Sequence, residues 1–562
     1  MAALVAVLSA EAQIYVCGAF NGWDPKNPVE MTLDSDGIYR ATIDFGAGVE
    51  FKMSTVRGVE GNGWNDFDTG TLYYSGQPQA GVWTDFALTL HSPNCLAPSA
   101  AVYTVQIALD DNRILFTTGG DTPATPWSGT LPVLFIDTEN NTPVTSKETY
   151  LTATYWLDPM GNEDVPAIGS SENPLTTQIK GRGNYTWLGF DKKPYRLKLA
   201  DKQPLMGMPA SKHWALLANA DDNSGFMRNA TGFEASRQLG MPWTPGSEPC
   251  EVVLNGDYIG LYFVTQTIRV DKDRVNIVEQ ADLATTDVDG GWLVEIDNYD
   301  TDPHVTVYEN GDRQTPIWFT YKSPEALSTR QSTYLQNAMQ AIDNAVYATD
   351  KSDATALSAL VDLDVLARYY ITQELVDDGE SFHGSCYLNR NRGAGQRWMF
   401  GPVWDFGNAL LRGDSRKFIW QDPPFHQVWI GEIYKFGAFQ KAVRSVWQAW
   451  LDAGGETSLP AYMTAFADKI AAAALCDARR WPQYGNADEL ARADRARTLV
   501  QNRIAWLKEQ WGESGVDDIT ADSTIDSPAV YYNLSGQPVA SPQPGTLYIV
   551  RRGHTVTKQI FR

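Results

Sequence analysis

Long apolar runs, cysteines and basic residues are all scarce in this sequence of 562 residues. No window holds the roughly 18 uninterrupted apolar residues that a membrane-spanning helix needs, so no such helix is expected. The five cysteines lie far apart, without Cys-x-x-Cys or Cys/His spacing, which argues against a zinc site and leaves any disulfide pairing open. Lys and Arg number 45 against 68 Asp and Glu, a net charge of -23, and an acidic chain of this kind repels the phosphate backbone of nucleic acids.

Three widespread catalytic signatures are also missing, because the sequence has no Walker A loop, no His-Glu-x-x-His and no Gly-x-Ser-x-Gly. The sequence therefore gives no support for a standard P-loop enzyme, a zincin or an α/β-hydrolase. The apolar fraction of 43% argues against disorder, and the length predicts about three domains.

The first thirteen residues, MAALVAVLSAEAQ, form an apolar run that ends in Ala-Glu-Ala before Gln13. This pattern is typical of a secretory signal next to its cleavage site, although the usual basic stretch in front of it is absent. We therefore predict export to the periplasm, the cell surface or the extracellular space. The alternative is a frayed apolar N-terminus.

Residues 14–120 consist of short alternating runs between Gly, Asn, Asp and Pro clusters, which predicts an antiparallel β-sandwich. The stretches GAFNGWDP and DSDGIYRATIDF resemble glycogen- and starch-binding β-sandwich modules. Exposed tryptophans could stack on sugar rings in such a module, and the candidates are Trp23, Trp64 and Trp83. The alternative is that these tryptophans fill the sandwich core.

Residues 128–512 are strand-like up to about residue 200 and then mix strands with helical spacing, which predicts an α+β domain of catalytic size. The acidic stretch 513–527 has no apolar period and is predicted to be a linker. Residues 528–562 contain short β-runs joined by Ser-Gly and Pro-Gly turns. They resemble the small C-terminal β-modules of exported bacterial proteins.

The segment KGRGNYTW, residues 180–187, places two glycines among Lys180, Arg182 and Asn184. Two glycines let backbone amides approach an anion, and the flanking cations neutralise phosphate charge. A Gly-x-Gly sequence is also a common plain turn. The segment is therefore a candidate phosphate loop that needs support from other parts of the chain.

Strand alternation in KKPYRLKL, residues 192–199, places Arg196 and Lys198 on the face opposite to the apolar residues. A strand lysine after a glycine loop is where a kinase-like enzyme contacts the α- and β-phosphates. The helix predicted in residues 223–240 carries Arg228 and Glu234, and Glu234 is a candidate partner for Lys198. The alternatives are a solvated edge-strand lysine and a surface carboxylate.

Two carboxylate-bearing segments follow further along the chain. Asp377, Asp378 and Glu380 come directly after an apolar helix, where negative charge opposes the helix dipole and suggests a bound cation or another role. Asp405 ends an aromatic-rich strand, and Gly407 gives the chain freedom to leave it. The order glycine loop, strand lysine, helix glutamate, acidic loop and Asp-Phe-Gly is that of protein kinases.

Six stretches in order resemble the spore-coat protein H (CotH) family of atypical protein kinases: IKGRGNYTW, KKPYRLKL, HWALLANADDNSGFMRNATGFEASRQLG, EVVLNGDYIGLYFVTQTIRVDKDRVNI, GGWLVEID and FGPVWDFGNAL. The resemblance covers about residues 130–510. It implies ATP with Mg²⁺ or Mn²⁺ and phosphoryl transfer to Ser and Thr hydroxyls of a protein substrate. The expected fold class is multidomain, with an N-terminal β-sandwich, a central α+β divergent protein-kinase-like domain and a small C-terminal β-module.

Carried over to this sequence, the resemblance implies that Asp405 is a metal ligand. The family's catalytic aspartate, which usually precedes a Ser-aromatic pair, falls at Glu380, and Asp378 is the alternative base. The family's following asparagine falls near Ser385, which is therefore a second candidate at the metal. The residues implied to line the nucleotide are Lys180, Arg182, Asn184, Lys198, Arg228 and Glu234.

Two functions fit the sequence. The first is an exported CotH-type kinase with a carbohydrate-binding-like module in front of it. The second is a non-catalytic surface protein that keeps a kinase-like scaffold and binds a polysaccharide through residues 14–120, which the scarcity of ATP outside the cytoplasm favours. Glycoside hydrolysis is disfavoured, because Glu295 and Asp297 alternate along one strand and point to opposite faces.

Overall fold

The computed structural model describes residues 13–34, 37–59, 63–109, 111–117, 125–299, 302–484, 489–512, 530–533, 538–539, 541–544, 546–552 and 555–560. The signal-like segment before Gln13 and the predicted linker 513–527 lie outside these ranges. Within them the chain is rich in β-strands, and the helices are concentrated in the middle. No helix in the described ranges is both long enough and apolar enough to cross a membrane.

Alternating apolar residues near the N-terminus form two antiparallel sheets that share one core. Aromatic rings fill this core, with the Phe45 centroid 5.3 Å from that of Phe51 and 6.0 Å from that of Phe116. The first sheet has the strands Val29–Glu30, Tyr15–Gly18, Glu50–Ser54, Thr71–Tyr73 and Ala87–Leu88, with Cys95–Leu96 paired to Glu50–Ser54. The second has Thr32–Leu33, Tyr39–Asp44, Val102–Ala108, Arg113–Thr117 and Thr84–Asp85. The connections include Ala19–Asn21, Phe45–Ala47, Trp64–Phe67 and Asp68–Gly70.

Seven strands close into a barrel at the start of the central region. Their spatial order is Val133–Thr138, Leu151–Asp158, Leu175–Gly181, Tyr195–Gln203, Ser211–Leu217, Asp257–Gln266 and Ser247–Leu254. Neighbours are antiparallel except at the closing pair, where the first and last strands run parallel. Apolar residues of Tyr195–Gln203 point into the barrel, so Arg196 and Lys198 lie on its outer face, as predicted. The short elements Glu139–Asn141, Tyr185–Gly189 and Leu205–Gly207 lie in its connections.

A second, five-stranded antiparallel sheet follows the barrel and shares a large apolar core with the helices. Its order is His304–Tyr308, Pro316–Ser323, Trp292–Ile296, Cys386–Arg390 and Met399–Phe400. The helices are Met227–Gln238, Thr329–Val346, Thr355–Leu360, Leu363–Leu375, Ile430–Ile433, Gly437–Asp452, Gly455–Arg480 and Glu489–Trp511. The 3-10 turns are Glu309–Gly311 and Phe406–Asn408.

The helix Met227–Gln238 joins the barrel to this core. Ala215 and Leu261 of the barrel's outer face belong to the same apolar cluster as Phe233 of the helix and Trp292 of the second sheet. The helix therefore lies where the barrel meets the rest of the central region, and its side chains can reach residues of both.

The last strands of the chain form a four-stranded antiparallel sheet. Its order is Pro538–Val539, Val530–Tyr532, Leu547–Arg552 and Thr555–Ile560. The strands match the β-rich character expected of this end of the chain. The resemblances of the two terminal regions to glycan-binding modules and to modules of exported proteins stay predictions.

A buried ion pair fastens the long helix Gly455–Arg480 to the barrel. Lys192 Nζ lies 2.6 Å from Asp477 Oδ1, and both side chains are almost wholly buried. The same Asp477 oxygen accepts a hydrogen bond from the Leu261 amide at 2.7 Å, and Lys192 also donates to the Leu261 carbonyl at 2.8 Å. A Cβ on Gly260 would lie 2.1 Å from this oxygen, so glycine is required for the close approach.

Replacing Asp477 with Asn keeps the shape of the side chain and leaves the Lys192 charge buried without a counter-charge. We expect the free energy of unfolding of the central region to fall by about 3–5 kcal/mol in urea titrations. The matched control is Glu248→Gln, which removes the exposed ion pair with Lys469 and is expected to cost less than about 1 kcal/mol. Equal losses in the two variants would contradict the account.

Candidate active site

The turn that begins at Asp405 lies where the barrel, the helix Met227–Gln238 and the second sheet meet. Asp405 is exposed and has the left-handed backbone values φ 58° and ψ 71°. The next residues, Phe406–Asn408, form a 3-10 turn. The positive φ turns the chain sharply, so the Asp405 carboxylate faces solvent while Phe406 enters the core.

Three residues of the helix Met227–Gln238 hold this turn in place. Arg228 Nη1 donates to the carbonyl oxygen of Gly407 at 2.8 Å, and Asn229 Oδ1 accepts from the Phe406 amide at 3.2 Å. The Phe406 ring packs on Gly232, where a Cβ would lie 2.5 Å from three of its ring carbons. The helix therefore determines the position of Asp405 through both backbone hydrogen bonds and ring packing.

The same arginine connects the turn to a second acidic segment. Arg228 Nη1 donates to the Asp221 carbonyl at 3.0 Å as well. A Cβ on Gly407 would lie 3.3 Å from Asp405 Oδ1 and 3.6 Å from Asp221 Oδ2, so both carboxylates border the same glycine. Burial, followed by the charges of Asp222 and Asp405, raises the pKa of Asp221 to about 6.

Asp221 is a candidate site residue that the sequence interpretation missed. The signal was the ADDN turn directly before the Arg228 helix, within one of the six family-like stretches. Two adjacent carboxylates before a helix are also typical of a plain cap or turn. Asp405 lies far away in sequence, so its proximity to Asp221 could not be predicted from the sequence.

Arg182, in the glycine loop after the barrel strand Leu175–Gly181, lies close to the Asp405 turn. Its guanidinium carbon lies 5.7 Å from the centroid of the Trp404 ring, next to Asp405 in sequence. Burial lowers the pKa of Arg182, whereas the negative charge of Asp405, and then Tyr387, act to raise it. We call the region bordered by Arg182, Trp404 and Asp405 the cleft.

Cationic side chains continue along the barrel face beside Arg182. In the strand pairing, Lys180 lies opposite Arg196, and Lys198 lies opposite His213. Burial, followed by the charges of Arg269, Arg196 and Lys198, lowers the pKa of His213 to about 4. Among the described residues, Arg196, Lys198 and Arg269 form no ion pair within 4.0 Å. We call Lys180, Arg196, Lys198, His213 and Arg269 the basic patch.

Glu380 supplies the third carboxylate of the site. Its side chain accepts hydrogen bonds from the Tyr299 hydroxyl and from Asn408 Nδ2. Burial, followed by the charge of Asp405, raises the pKa of Glu380 to about 7. A Cβ on Gly384 would lie 3.3 Å from the Tyr299 ring and 3.4 Å from Glu380 Oε1, so the glycine leaves room for both side chains.

Asp378 lies beneath Glu380 and is only 1% exposed. Its Oδ1 accepts a hydrogen bond from the Glu380 amide at 3.1 Å, which fixes the turn between them. Burial raises the pKa of Asp378 well above its usual range. Of the two carboxylates named as catalytic candidates, Glu380 is therefore the one that reaches the cleft.

Arginines from distant segments offset the remaining charge of the acidic loop. Asp377 Oδ1 lies 3.4 Å from Arg412 Nη1 and 3.3 Å from Arg503 Nη2, and Arg503 also pairs with Glu374. The carboxylates at this helix end are thus compensated by protein groups. The two arginines offset the charge of Asp377 at ion-pair distance, and neither of its buried carboxylate oxygens has a hydrogen-bond partner among the described residues.

A family model described as CotH kinase protein matches residues 179–507, which is more than half of the chain. The chain belongs to the CotH kinase family. No curated protein matches it. The matched range, here the CotH region, contains Arg182, Asp221, Arg228, Glu380 and Asp405 and excludes both terminal sheet regions.

Several predicted residues of the CotH region take other positions. Glu234 accepts hydrogen bonds from Arg237 and Gln238, both at 3.0 Å, and does not pair with Lys198 within the described structure. The strand Ser211–Leu217 pairs with the Lys198 strand, and its Ala215 belongs to the same apolar cluster as Phe233 of the helix that carries Glu234. Lys198 instead belongs to the basic patch.

The implied roles of Asn184, Ser385 and Arg228 at the nucleotide and the metal stay predictions. Asn184 is exposed and accepts a hydrogen bond from Lys147. Ser385 precedes the strand Cys386–Arg390 with φ 52°, and no hydrogen bond in the described ranges joins it to Asp405. Arg228 Nη1 and Nη2 donate to protein oxygens, among them the Gly407 carbonyl after Asp405, whereas the buried Arg228 Nε has no hydrogen-bond partner among the described residues.

The donor set beside Gly407 fits a divalent cation. The described residues contain no cluster of three or more metal-ligating side chains. Mg²⁺ usually takes only one or two carboxylates together with substrate phosphates and water, so such a cluster is not required. Asp405 and Asp221 supply two carboxylates beside Gly407, and the negative charge of Asp405 acts on Arg182.

The candidate sugar-stacking tryptophans lie outside the CotH region and fall into two settings. The half-buried rings of Trp23 and Trp64 are adjacent, with centroids 6.2 Å apart and an interplanar angle of 44°. Trp83 instead lies under the guanidinium of Arg479, 5.1 Å from its ring centroid. Trp23 and Trp64 thus form one partly exposed aromatic surface, whereas Trp83 contacts the helix Gly455–Arg480.

Replacing Gly232 with Ala places a methyl group against the Phe406 ring. We expect a loss of about 1–3 kcal/mol in the free energy of unfolding, relative to a control that adds the same methyl group in open space. The control is Gly437→Ala in the helix Gly437–Asp452, where no atom lies within 4 Å of the new Cβ. Indistinguishable urea transitions for the two variants would show that the ring does not depend on Gly232.

Proposed function

We propose that the CotH region is a divergent protein kinase that transfers the γ-phosphoryl group of ATP to Ser or Thr hydroxyls of a protein. The observation that carries the proposal is that the Asp405 turn contacts two other segments of the chain: the Arg182 guanidinium lies over the Trp404 ring, and Asn408 donates a hydrogen bond to Glu380. Phosphoryl transfer depends mainly on positioning and on offsetting charge, and these groups supply both.

The basic patch supports an anionic ligand in the cleft. It gathers the cations Lys180, Arg196, Lys198 and Arg269 on a chain whose net charge is -23, and the buried Arg196 Nε has no hydrogen-bond partner among the described residues. Unpaired buried donors are costly unless a ligand satisfies them. A triphosphate that extends from Arg182 along Lys198 would satisfy the Arg196 Nε donor.

Asp405 and Asp221 would hold the divalent metal that ATP brings. Charge that builds on the phosphoryl oxygens during transfer would be offset there by the bound Mg²⁺ or Mn²⁺. Arg228 keeps both carboxylate-bearing segments together, because it donates to the backbone of each. Its contribution to transfer is therefore one of positioning.

Glu380 would act as the general base for the acceptor hydroxyl of the protein substrate. The oxygen of the acceptor hydroxyl attacks the γ-phosphorus, the bond to the β,γ-bridging oxygen breaks with its electrons leaving on ADP, and the hydroxyl proton passes to the Glu380 carboxylate. Tyr299 and Asn408 orient this carboxylate through their hydrogen bonds. Asp378 fixes the backbone beneath it.

Asp405→Asn tests the proposal, because it removes the charge of the metal ligand and keeps its shape. We expect phosphoryl transfer from labelled ATP with Mg²⁺ or Mn²⁺, to the chain itself and to casein, to fall on the order of a thousandfold. The control is Asp414→Asn, an exposed carboxylate in the same segment, which should leave the rate unchanged. Equal labelling by wild type and Asp405→Asn, with no ATP binding by calorimetry, would exclude the kinase function.

A second candidate function is polysaccharide binding by the N-terminal sheets of an exported protein. The observation that favours it is the adjacent pair Trp23 and Trp64, because neighbouring aromatic faces suit stacking on sugar rings. We expect the full chain to be retarded in gels that contain glycogen or starch, and Trp23→Ala with Trp64→Ala to abolish this. Trp83→Ala is the control. Migration that no polysaccharide alters would remove the candidate.

A further inference from the structure

The segment that follows the Asp405 turn returns to pass under the acidic loop. The Val428 amide donates to the Phe382 carbonyl at 3.1 Å, and the His426 carbonyl lies 3.1 Å from His383 Nδ1. Residues 426–428 therefore run alongside residues 382–383, directly after Glu380. The side chain between these two contacts belongs to Gln427.

The Gln427 side-chain amide forms hydrogen bonds with the backbone on both sides of Glu380. Its Nε2 donates to the Gly379 carbonyl, and its Oε1 accepts from the Phe382 amide at 3.2 Å. Oε1 also lies 3.4 Å from Ser381 Oγ. The side chain is 6% exposed, so these hydrogen bonds are shielded from water.

Only a carboxamide of this length satisfies both backbone groups. The Gly379 carbonyl needs a donor and the Phe382 amide needs an acceptor, and an amide side chain supplies one of each. A carboxylate offers acceptors alone and would face the Gly379 carbonyl unfavourably. An apolar side chain would leave two buried backbone groups without partners.

We propose that Gln427 is a positioning residue for phosphoryl transfer, which holds the Glu380 loop at the acceptor side of the cleft. The inference rests on the proposed function of Glu380. It is separate from the residues that hold the carboxylate itself, because Tyr299 and Asn408 bind the Glu380 side chain whereas Gln427 binds the backbone around it.

The position of Gln427 predicts a particular kinetic signature. Arg182, Asp221 and Asp405 are fixed by the barrel and the helix Met227–Gln238, and Gln427 contacts none of these three within the described structure. Loss of Gln427 should therefore leave ATP binding intact and slow the transfer step. A residue that only stabilises the fold would change neither parameter in the folded protein.

The experiment compares Gln427→Leu and Gln427→Glu with Gln421→Leu in the full chain. Gln421 is an exposed glutamine of the same segment, and its Oε1 accepts from the Phe418 amide at 3.0 Å. We expect kcat with labelled ATP to fall at least tenfold in both Gln427 variants, with KM for ATP within twofold of wild type. Gln421→Leu should match wild type in both.

Hydrogen exchange of the loop gives a readout that does not need turnover. The Phe382 amide should lose its protection in Gln427→Leu and keep more of it in Gln427→Glu, whose carboxylate still accepts from that amide. Thermal unfolding shows which variants are folded. If Gln427→Leu does not fold, kcat and the hydrogen exchange of the Phe382 amide in Gln427→Glu test the inference instead.

Two outcomes overturn the inference: unchanged kcat in a folded Gln427 variant, or loss of ATP affinity that matches the loss of kcat. If wild type itself transfers no phosphate, the proposed function fails while the exchange experiment still decides whether Gln427 holds the loop. Unaltered protection of residues 380–384 in both variants would then contradict it.

Discussion

The site depends on one buried arginine. Arg228 donates to the backbone of Asp221 and of Gly407, two positions far apart in sequence, and so joins the connection before its own helix to the turn after Asp405. Asn229 and Gly232 of the same helix add a hydrogen bond and a place for the Phe406 ring. The helix therefore holds the segments of Asp221 and Asp405 next to each other. Arg182 contacts the Asp405 turn that the helix holds in place.

The arrangement concentrates like charges at some energetic cost. Burial and mutual repulsion raise the pKa of Asp221 to about 6 and that of Glu380 to about 7. Asp405 contributes to both shifts, so the three carboxylates share one electrostatic environment. Groups arranged in this way suit a ligand that brings cations to the carboxylates and anions to the basic patch, as a metal-bound triphosphate does.

Local patterns in the sequence predicted the elements that local chemistry determines. The alternation around Arg196, the glycine loop at Arg182 and the Asp405 turn could all be read within a few residues. Contacts set by the path of the chain could not. The closing parallel pair of the barrel and the meeting of Asp221 with Asp405 depend on distant segments packing together.

The most direct test of this account is a crystal structure of the chain with Mn²⁺ and a non-hydrolysable ATP analogue, with the metal located by its anomalous signal. We expect one peak coordinated by Asp405 and Asp221, the triphosphate against Arg182 and the basic patch, and Glu380 free of the metal. Nucleotide bound elsewhere on the chain, or a metal peak away from Asp405, would contradict it.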